Sequence, residues 1–288
     1  MDMKIAFATC SEIPGGDPDD HPAAAALGAA FEVWDDPNVD WEAYDRVVLR
    51  SVWDYTLQPA AFLAWCRSIG SVRLRNDPAL VAYNADKRYL ADLPVPTVPT
   101  AFVVAGDPPP ALHGEVVVKP SVSAGARNTG RFGPSHHREA HELVDRITAA
   151  GSAALVQPYL ADVDARGEIA LVYFHGELSH VLRKRAVLEP DEVAPAAAGT
   201  RLGVAAAMLR DDLVTAGQAD AAEVALARDL LADVAARFGG PPLYARVDIV
   251  RDADARPVLL ELEVVEPSLY LELADGATER FVAAVRAS

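Results

Sequence analysis

Cysteine is nearly absent from this chain: Cys10 and Cys66 are the only two among 288 residues. They offer neither a disulfide framework nor metal-ligand spacing, so a reduced, cytoplasmic setting is expected. Lysine is scarce too, limited to Lys4, Lys87, Lys119 and Lys184 against a background of arginine. No apolar run approaches the ~20 residues that span a bilayer. The first residues also lack a basic segment followed by a long apolar stretch, so neither a membrane nor an export signal is expected. Positive charge is short overall, with a formal net charge of -16. A chain this acidic has no general basic face for nucleic acid. Any anionic ligand must be met by basic residues gathered locally, so the few lysines matter individually.

What the chain does have is patterning. Hydrophobic residues make up 51%, enough for two or three lobes with separate cores. Residues 4–9, 31–34 and 46–50 have strand composition, while 19–30 and 59–69 have helical composition. Strands alternating with helices predict a parallel sheet in the first lobe. The proline-rich stretch 93–100 cannot be helical and suits an extended crossing. Beyond it, 101–104, 115–119 and 154–157 read as strands, with a helix over 138–149. Residues 169–174 and 178–183 read as a hairpin turned at His175-Gly176. An amphipathic helix over 220–238 ends at Gly239-Gly240, and strands over 244–251 and 257–264 close the core. Residues 189–218 are rich in Ala, Pro, Gly and Asp without a period, which predicts a mobile excursion.

Four stretches carry chemistry. In the first, Val116-Val117-Val118 delivers Lys119 to a strand end, and a loop of small residues follows through Ser121, Ser123, Ala124 and Gly125 to Gly133. Small side chains let backbone N–H groups approach an anion, hydroxyls can donate, and the lysine adds a point charge. The lysine precedes the glycines, so this is not the G-x-x-x-x-G-K-[ST] loop. A flexible hairpin loop with a strand-end lysine would carry the same letters.

In the second stretch, Arg246 and Asp248 lie two apart on one strand, and Glu261 and Glu263 lie two apart on the next. Each pair therefore points to one face. Antiparallel pairing through the turn at 251–256 brings Asp248 opposite the glutamates. Three carboxylates on one face repel unless a cation neutralises them. Such oxygen donors suit Mg2+, with Mn2+ as an alternative, and phosphates completing the shell. A solvated face of alternating charge is the competing reading.

The third stretch, Gln157-Pro158-Tyr159-Leu160, ends a strand in a proline-containing hinge whose backbone could meet a purine edge. Glu168 could accept from ribose hydroxyls, although a plain linker has the same composition. The fourth places Lys87 in the first turn of a helix start after Asn84 and Asp86. Arg50, Ser51, Trp53 and Asp54 follow a strand end, the edge that binds ligands in open α/β sheets. A strand-to-helix turn with Trp53 in the core is equally consistent. Glu266 and Ser268, just beyond the acidic strand, could read an amino group. The basic run Arg183, Lys184 and Arg185 offers further phosphate or carboxylate contacts.

In this order the pieces resemble the ATP-grasp ligases, over roughly residues 76–285. Three stretches are similar to the actinobacterial group that includes the O-ureido-serine cyclo-ligase of cycloserine biosynthesis. They are Arg50-Ser51-Val52-Trp53-Asp54-Tyr55, the run 119–127, and Glu261-Leu262-Glu263 with Glu266-Pro267-Ser268. The resemblance implies an α/β chain of α+β ATP-grasp type, with an open N-terminal β/α lobe on the substrate side over 1–86. Two antiparallel-sheet lobes clamping ATP would follow, a central one over 87–180 with the phosphate loop and a C-terminal one over 181–288 with the metal site.

The resemblance also implies roles. Lys87, Lys119, Ser121, Ser123, Ala124 and Gly125 would hold phosphates. Gln157, Pro158, Tyr159, Leu160 and Glu168 would hold the rest of the nucleotide, and Arg183 would add a phosphate or carboxylate contact. Asp248, Glu261 and Glu263 would bind metal, Arg246 and Lys119 would be catalytic, and Arg50, Ser51, Trp53, Asp54, Glu266 and Ser268 would face a small amino-acid-like substrate. Two positions depart from the pattern: Glu263 stands where many members have Asn, and Gln157 where an acid is frequent. The expected reaction is phosphorylation of a carboxylate to an acyl phosphate, then C–N bond formation within one molecule. The alternatives are an intermolecular amino-acid or peptide ligase of glutathione-synthetase type, or a nucleotide-binding regulatory protein without ligase activity. A homodimer is compatible with all three.

Overall fold

A computed structural model describes residues 3–194 and 212–288. The first lobe is built on strands β1 (Ile5–Thr9), β2 (Ala30–Val33), β3 (Arg46–Leu49) and β4 (Leu74–Arg75). They pair in parallel in the order β2-β1-β3-β4, as the alternating pattern predicts. Helices α1 (His21–Leu27), α2 (Pro59–Ile69) and α3 (Pro78–Asn84) each carry proline in the first turn, where its missing N–H has no intrahelical partner to lose. The first helix is shorter than the expected 19–30. Pro18–Asp20 forms a separate 3-10 turn, and Gly28 adopts φ 64, stopping the helix.

The second lobe consists of β5 (Ala101–Val103), β6 (Val116–Pro120), β7 (Gly130–Phe132), α4 (His137–Ala149) and β8 (Ala154–Pro158). Its sheet is antiparallel in the order β5-β8-β6-β7. Helix α4 buries Ala140, Leu143, Val144 and Ile147 against Val116, Val118, Phe132 and Val156. Strand alternation then turns Val117, Lys119 and Gln157 to the other face.

After the short helix α5 (Asp162–Arg166) comes the third sheet. It contains β9 (Glu168–Phe174), β10 (Glu177–Lys184), β11 (Val214–Ala216), β12 (Tyr244–Arg251) and β13 (Pro257–Glu263). The order is β11-β10-β9-β12-β13, antiparallel throughout. Helix α6 (Ala221–Phe238) starts with a capping box between Asp220 and Glu223 and ends at Gly239, φ 81. It packs Leu226, Leu230, Leu231 and Val234 onto Leu171, Val247, Ile249 and Leu262. Covering one face of the sheet in this way leaves the other for polar chemistry.

The expected lobe boundary between 180 and 181 is corrected by this topology. The hairpin β9–β10 hydrogen-bonds to β12 along Phe174–Tyr244 to Ile169–Ile249, so both its strands belong to the third sheet. The change of sheet falls between β8 and β9. The proline-rich crossing is extended as expected and lies along the free edge of β13, where Val98 N donates to Leu259 O (3.0 Å) and Leu259 N to Pro96 O (2.8 Å). Of the expected excursion 189–218, Val214–Ala216 is strand and Val193 bridges to Gly130, while 195–211 lie outside the described residues.

The first lobe is fixed to the third sheet. Asn76 Nδ2 donates to Tyr244 O (2.9 Å) and Val264 O (2.8 Å), and Asn84 Nδ2 to Leu262 O (2.8 Å). Helix α7 (Ala277–Ala287) adds Phe281, whose ring packs on Phe7, Phe174 and Tyr244. Both cysteines are buried and unbridged. Among the described residues no helix is long and apolar enough to cross a membrane.

Candidate active site

The polar face of the third sheet is set by the register of β12 and β13. Arg246 pairs with Glu263 and Asp248 with Glu261. The register shifts after Asp248, leaving Leu260 as the extra residue of a β-bulge. Leu260 packs with Leu160 of the hinge and with Val98, Val163, Val250 and Val258 beside the acidic residues.

Each carboxylate on this face meets a cation. The Arg246 guanidinium donates from Nε to Asp248 Oδ1 (2.9 Å), reaches Asp248 Oδ2 (3.0 Å), and also pairs with Glu263. Its remaining nitrogen donates to Ser268 O at 3.1 Å. Lys184 Nζ lies 2.6 Å from Asp248 Oδ2 and 2.9 Å from Glu168 Oε2. Lys87 Nζ lies 3.1 Å from Glu261 Oε1 and donates to Ser123 O at 2.6 Å. Burial alone would raise the Asp248 and Glu261 carboxyls, but Arg246 and Lys184 in one case, and Lys87 and Lys119 in the other, hold both below the usual range. Burial wins at Glu263, pushed up to about 7, and at Glu266, pushed up to about 8 with Glu263 adding to the effect.

Lys119 stands apart. It is buried, burial lowers its pKa, and among the described residues its ammonium has no hydrogen-bond or ion-pair partner. A buried, unpaired ammonium is a strong attractor for an anion. The loop after it is folded back: Ser121 N donates to Ala153 O and Lys87 N to Ser121 O, each at 2.8 Å. Gly125, Ala126 and Asn128 have positive φ, turning the backbone through a tight path. Lys87, expected at a helix start, lies in the 3-10 stretch Lys87–Asp92 capped by Asp86.

At the hinge, Gln157 is buried with Nε2 donating to Thr100 Oγ1 (2.8 Å), so its side chain is occupied by the fold. Tyr159 donates to Asp164 Oδ1 (2.6 Å) and lies under the Arg131 guanidinium, 3.5 Å from its ring centroid. Arg183 requires a correction. It pairs with Ile169, exposes its side chain on the face opposite Lys184, and donates to the carbonyls of Arg166 and Ala165. Lys184, not Arg183, therefore reaches the acidic face.

On the first lobe, Arg50 is buried and bound to Asp20 (2.9 Å) and Pro267 O (3.2 Å), beneath Tyr244 and Phe281. Ser51 shares a hydrogen bond with Thr9 (3.0 Å), and Trp53 Nε1 donates to Glu266 O (3.3 Å). Asp54 accepts from Trp34 Nε1 at 2.7 Å. These residues gather beside Glu266, but Arg50 is engaged by the protein itself. Tyr55, given no role of its own above, is buried, and burial with the nearby Glu266 carboxyl raises its hydroxyl well above the ordinary value.

The expected metal set Asp248, Glu261 and Glu263 is on one face, yet among the described residues no group of three His, Cys, Asp or Glu side chains forms a ready metal cage. Both Asp248 oxygens are taken up by Arg246 and Lys184, which turns the carboxylates toward cations instead of a common centre. The donor chemistry still fits magnesium, which is commonly held by one or two carboxylates with phosphates supplying further ligands.

Two antiparallel sheets, one offering buried lysine and a small-residue loop and the other paired acids and bases, define an ATP-grasp ligase. Comparison with known proteins agrees. A family model described as the N-terminal domain of D-cycloserine synthetase DcsG matches residues 5–76. The cycloserine biosynthesis protein DcsG of Streptomyces lavendulae is 37% identical over 281 residues, covering 91% of this chain and 90% of that protein. A crystal structure of D-cycloserine synthetase DcsG superposes with TM-score 0.82 at 34% identity, covering 98% of both chains. The D-alanine–D-alanine ligase of Bacillus anthracis complexed with ATP shares the fold, with TM-score 0.60 and 13% identity over 99% of this chain and 96% of that one. The chain belongs to the DcsG family of ATP-grasp ligases, and its class is that of the ATP-dependent carboxylate–amine ligases.

Proposed function

We propose that this protein phosphorylates the carboxylate of a small amino acid with ATP and then closes a ring by attack of a nitrogen of the same molecule, as from O-ureido-serine to a cycloserine-type ring. The observation that carries the reading is the meeting of Lys87, Lys184 and Arg246 with Glu261, Asp248 and Glu263 on one sheet face, with Lys119 nearby and unpaired among the described residues. The 37% identity to the cycloserine biosynthesis protein supports the choice of substrate class.

Lys119, Lys87 and the loop after Lys119 hold the phosphates and keep water away from the reacting centre. A substrate carboxylate oxygen attacks the γ-phosphorus, ADP leaves, and an acyl phosphate forms. The nitrogen bound to the ureido oxygen then attacks the carbonyl carbon, loses its proton, and phosphate departs as the C–N bond is completed. The ring nitrogen still carries the carbamoyl group, which water must remove as carbamate to give the cycloserine-type ring. Arg246, fixed by two carboxylates and Ser268 O, stabilises the oxyanion that develops in that attack. Magnesium held by Glu261, Glu263 and Asp248 would neutralise charge on the phosphates.

The test is ADP release with O-ureido-serine as the sole co-substrate, followed by addition of hydroxylamine to trap the acyl phosphate as a hydroxamate. ADP that forms only when a second amine is supplied would replace ring closure by an intermolecular ligase. ATP binding with no stimulation by any amino acid would leave a nucleotide-binding protein without ligase activity.

A further inference from the structure

Arg131 of β7 pairs with Val117, which turns its side chain to the same sheet face as Lys119, away from α4. It is only 4% exposed, although it is a long charged side chain on the outer strand of its sheet. Four of its five N–H groups are taken up within the protein. Nε donates to Glu115 Oε1 (2.7 Å), one terminal nitrogen to Asp164 Oδ1 (3.1 Å) and Leu188 O (3.3 Å), and the other to Asp164 Oδ2 (2.8 Å). A guanidinium so committed has little left to offer a ligand, so its part in the reaction runs through the groups it holds.

Those groups lie at matched places in the chain. The hairpin β9–β10 enters the third sheet at Glu168 and leaves it at Lys184, and these two residues stand opposite each other, ion-paired at 2.9 Å. Asp164 lies four residues before Glu168, in α5, and Leu188 lies four residues after Lys184. One guanidinium therefore fastens both open ends of the hairpin to the central sheet. The Tyr159 ring, 3.5 Å from that guanidinium and hydrogen-bonded to Asp164, braces the entering end at the hinge, while Leu188 packs on Ala126 of the phosphate loop at the leaving end. Charge neutralisation does not account for the arrangement. The Glu115 and Asp164 side chains are 30% and 48% exposed, so water would solvate both without Arg131. What the planar fork adds is fixed geometry between the two sheets.

We propose that Arg131 is a positioning residue that sets where the Glu168–Lys184 pair of the third sheet stands relative to Lys119 and the phosphate loop of the second, and so tunes the affinity for the nucleotide. The inference rests on the ligase reading above and adds to it the tie that holds the two sheets at their working separation.

The experiment measures the affinity for ATP with magnesium by isothermal titration calorimetry in the wild type, R131Q, K184M and the double variant, with a thermal melt on each. R131Q should weaken binding about 5- to 50-fold. Because Arg131 acts through the pair that includes Lys184, that factor should shrink at least about threefold when measured in the K184M background. A lobe merely loosened by the loss of Arg131 would give the same factor in both backgrounds. A smaller shrinkage, or R131Q binding within about twofold of wild type, overturns the proposal. If R131Q does not fold, D164A takes its place in the cycle under the same criterion, since that partly exposed position can lose its side chain without stranding a buried charge. A wild type that binds ATP but releases no ADP with any amino acid overturns the ligase reading alone, because the binding cycle needs no turnover. A wild type that binds no ATP overturns both.

Discussion

Lys184 and Asp248 meet at 2.6 Å although their strands, β10 and β12, are not neighbours, because the lysine reaches across Ala170 and Glu168 of the intervening β9. Asp248 keeps Arg246 when Lys184 is removed, so Lys184→Met should unfold with about 1–3 kcal/mol less free energy in urea at pH 7. On the proposed placing of the nucleotide over the acidic face, KM for ATP should also rise at least about tenfold, since a cation of that face is gone. An unchanged KM would remove Lys184 from the nucleotide site.

Glu261 is bound to Lys87, and both lie where the two sheets approach. Glu261→Gln should abolish ADP release while leaving the melting temperature within a few degrees, because Lys87 retains Ser123 as a partner. Near-normal turnover in this variant would exclude Glu261 from the metal set.

Arg183→Ala is the contrasting case. Its guanidinium holds the Arg166 and Ala165 carbonyls on the opposite face, so KM for ATP and turnover should stay within about twofold of wild type. A large rise in KM for ATP would show that the cleft extends around that edge.

Glu266 gives the nucleotide-free protein a pH signature. Burial raises its carboxyl from 4.5 to about 8, so the folded state keeps a proton that the unfolded chain releases above pH 4.5. Its contribution is therefore fully present at low pH and is lost progressively as pH rises toward 8. Glu266→Gln should be about 1–3 kcal/mol more stable than wild type at pH 8 and nearly equal at pH 4.5, as read by denaturant titration. Equal stability differences at the two pH values would mean that the carboxyl is solvated.

The acidic face was legible because strand alternation is local. Arg246, Asp248, Glu261 and Glu263 lie two apart, and the turn between them fixes which residues meet. Lys119 was legible by position, as the residue an apolar strand delivers to a small-residue loop. The basic run 183–185 left open which side chain meets the acidic face. That depends on the strand's phase, which the register shift between Leu178 and His180 alters, and it is Lys184 that lies there while Arg183 points the other way. The lobe boundary failed because nothing local in β9 states that its partner is β12, some 70 residues later. Tyr55 was read only as part of the 50–55 stretch and given no role of its own, because its burial comes from long-range packing, which no spacing encodes.

The segment that returns from β10 lies against β7, with Arg131 N donating to Glu192 O (2.9 Å) and Ala194 N to Thr129 O (2.8 Å). Strand β7 is otherwise the outer strand of its sheet, and its free amides and carbonyls would be a template for a strand from another molecule. Covering them with the chain's own backbone guards this rim against self-association at high concentration. It also means that separating the two sheets must peel this contact or carry the segment along, so cleft opening and rim protection draw on the same few hydrogen bonds.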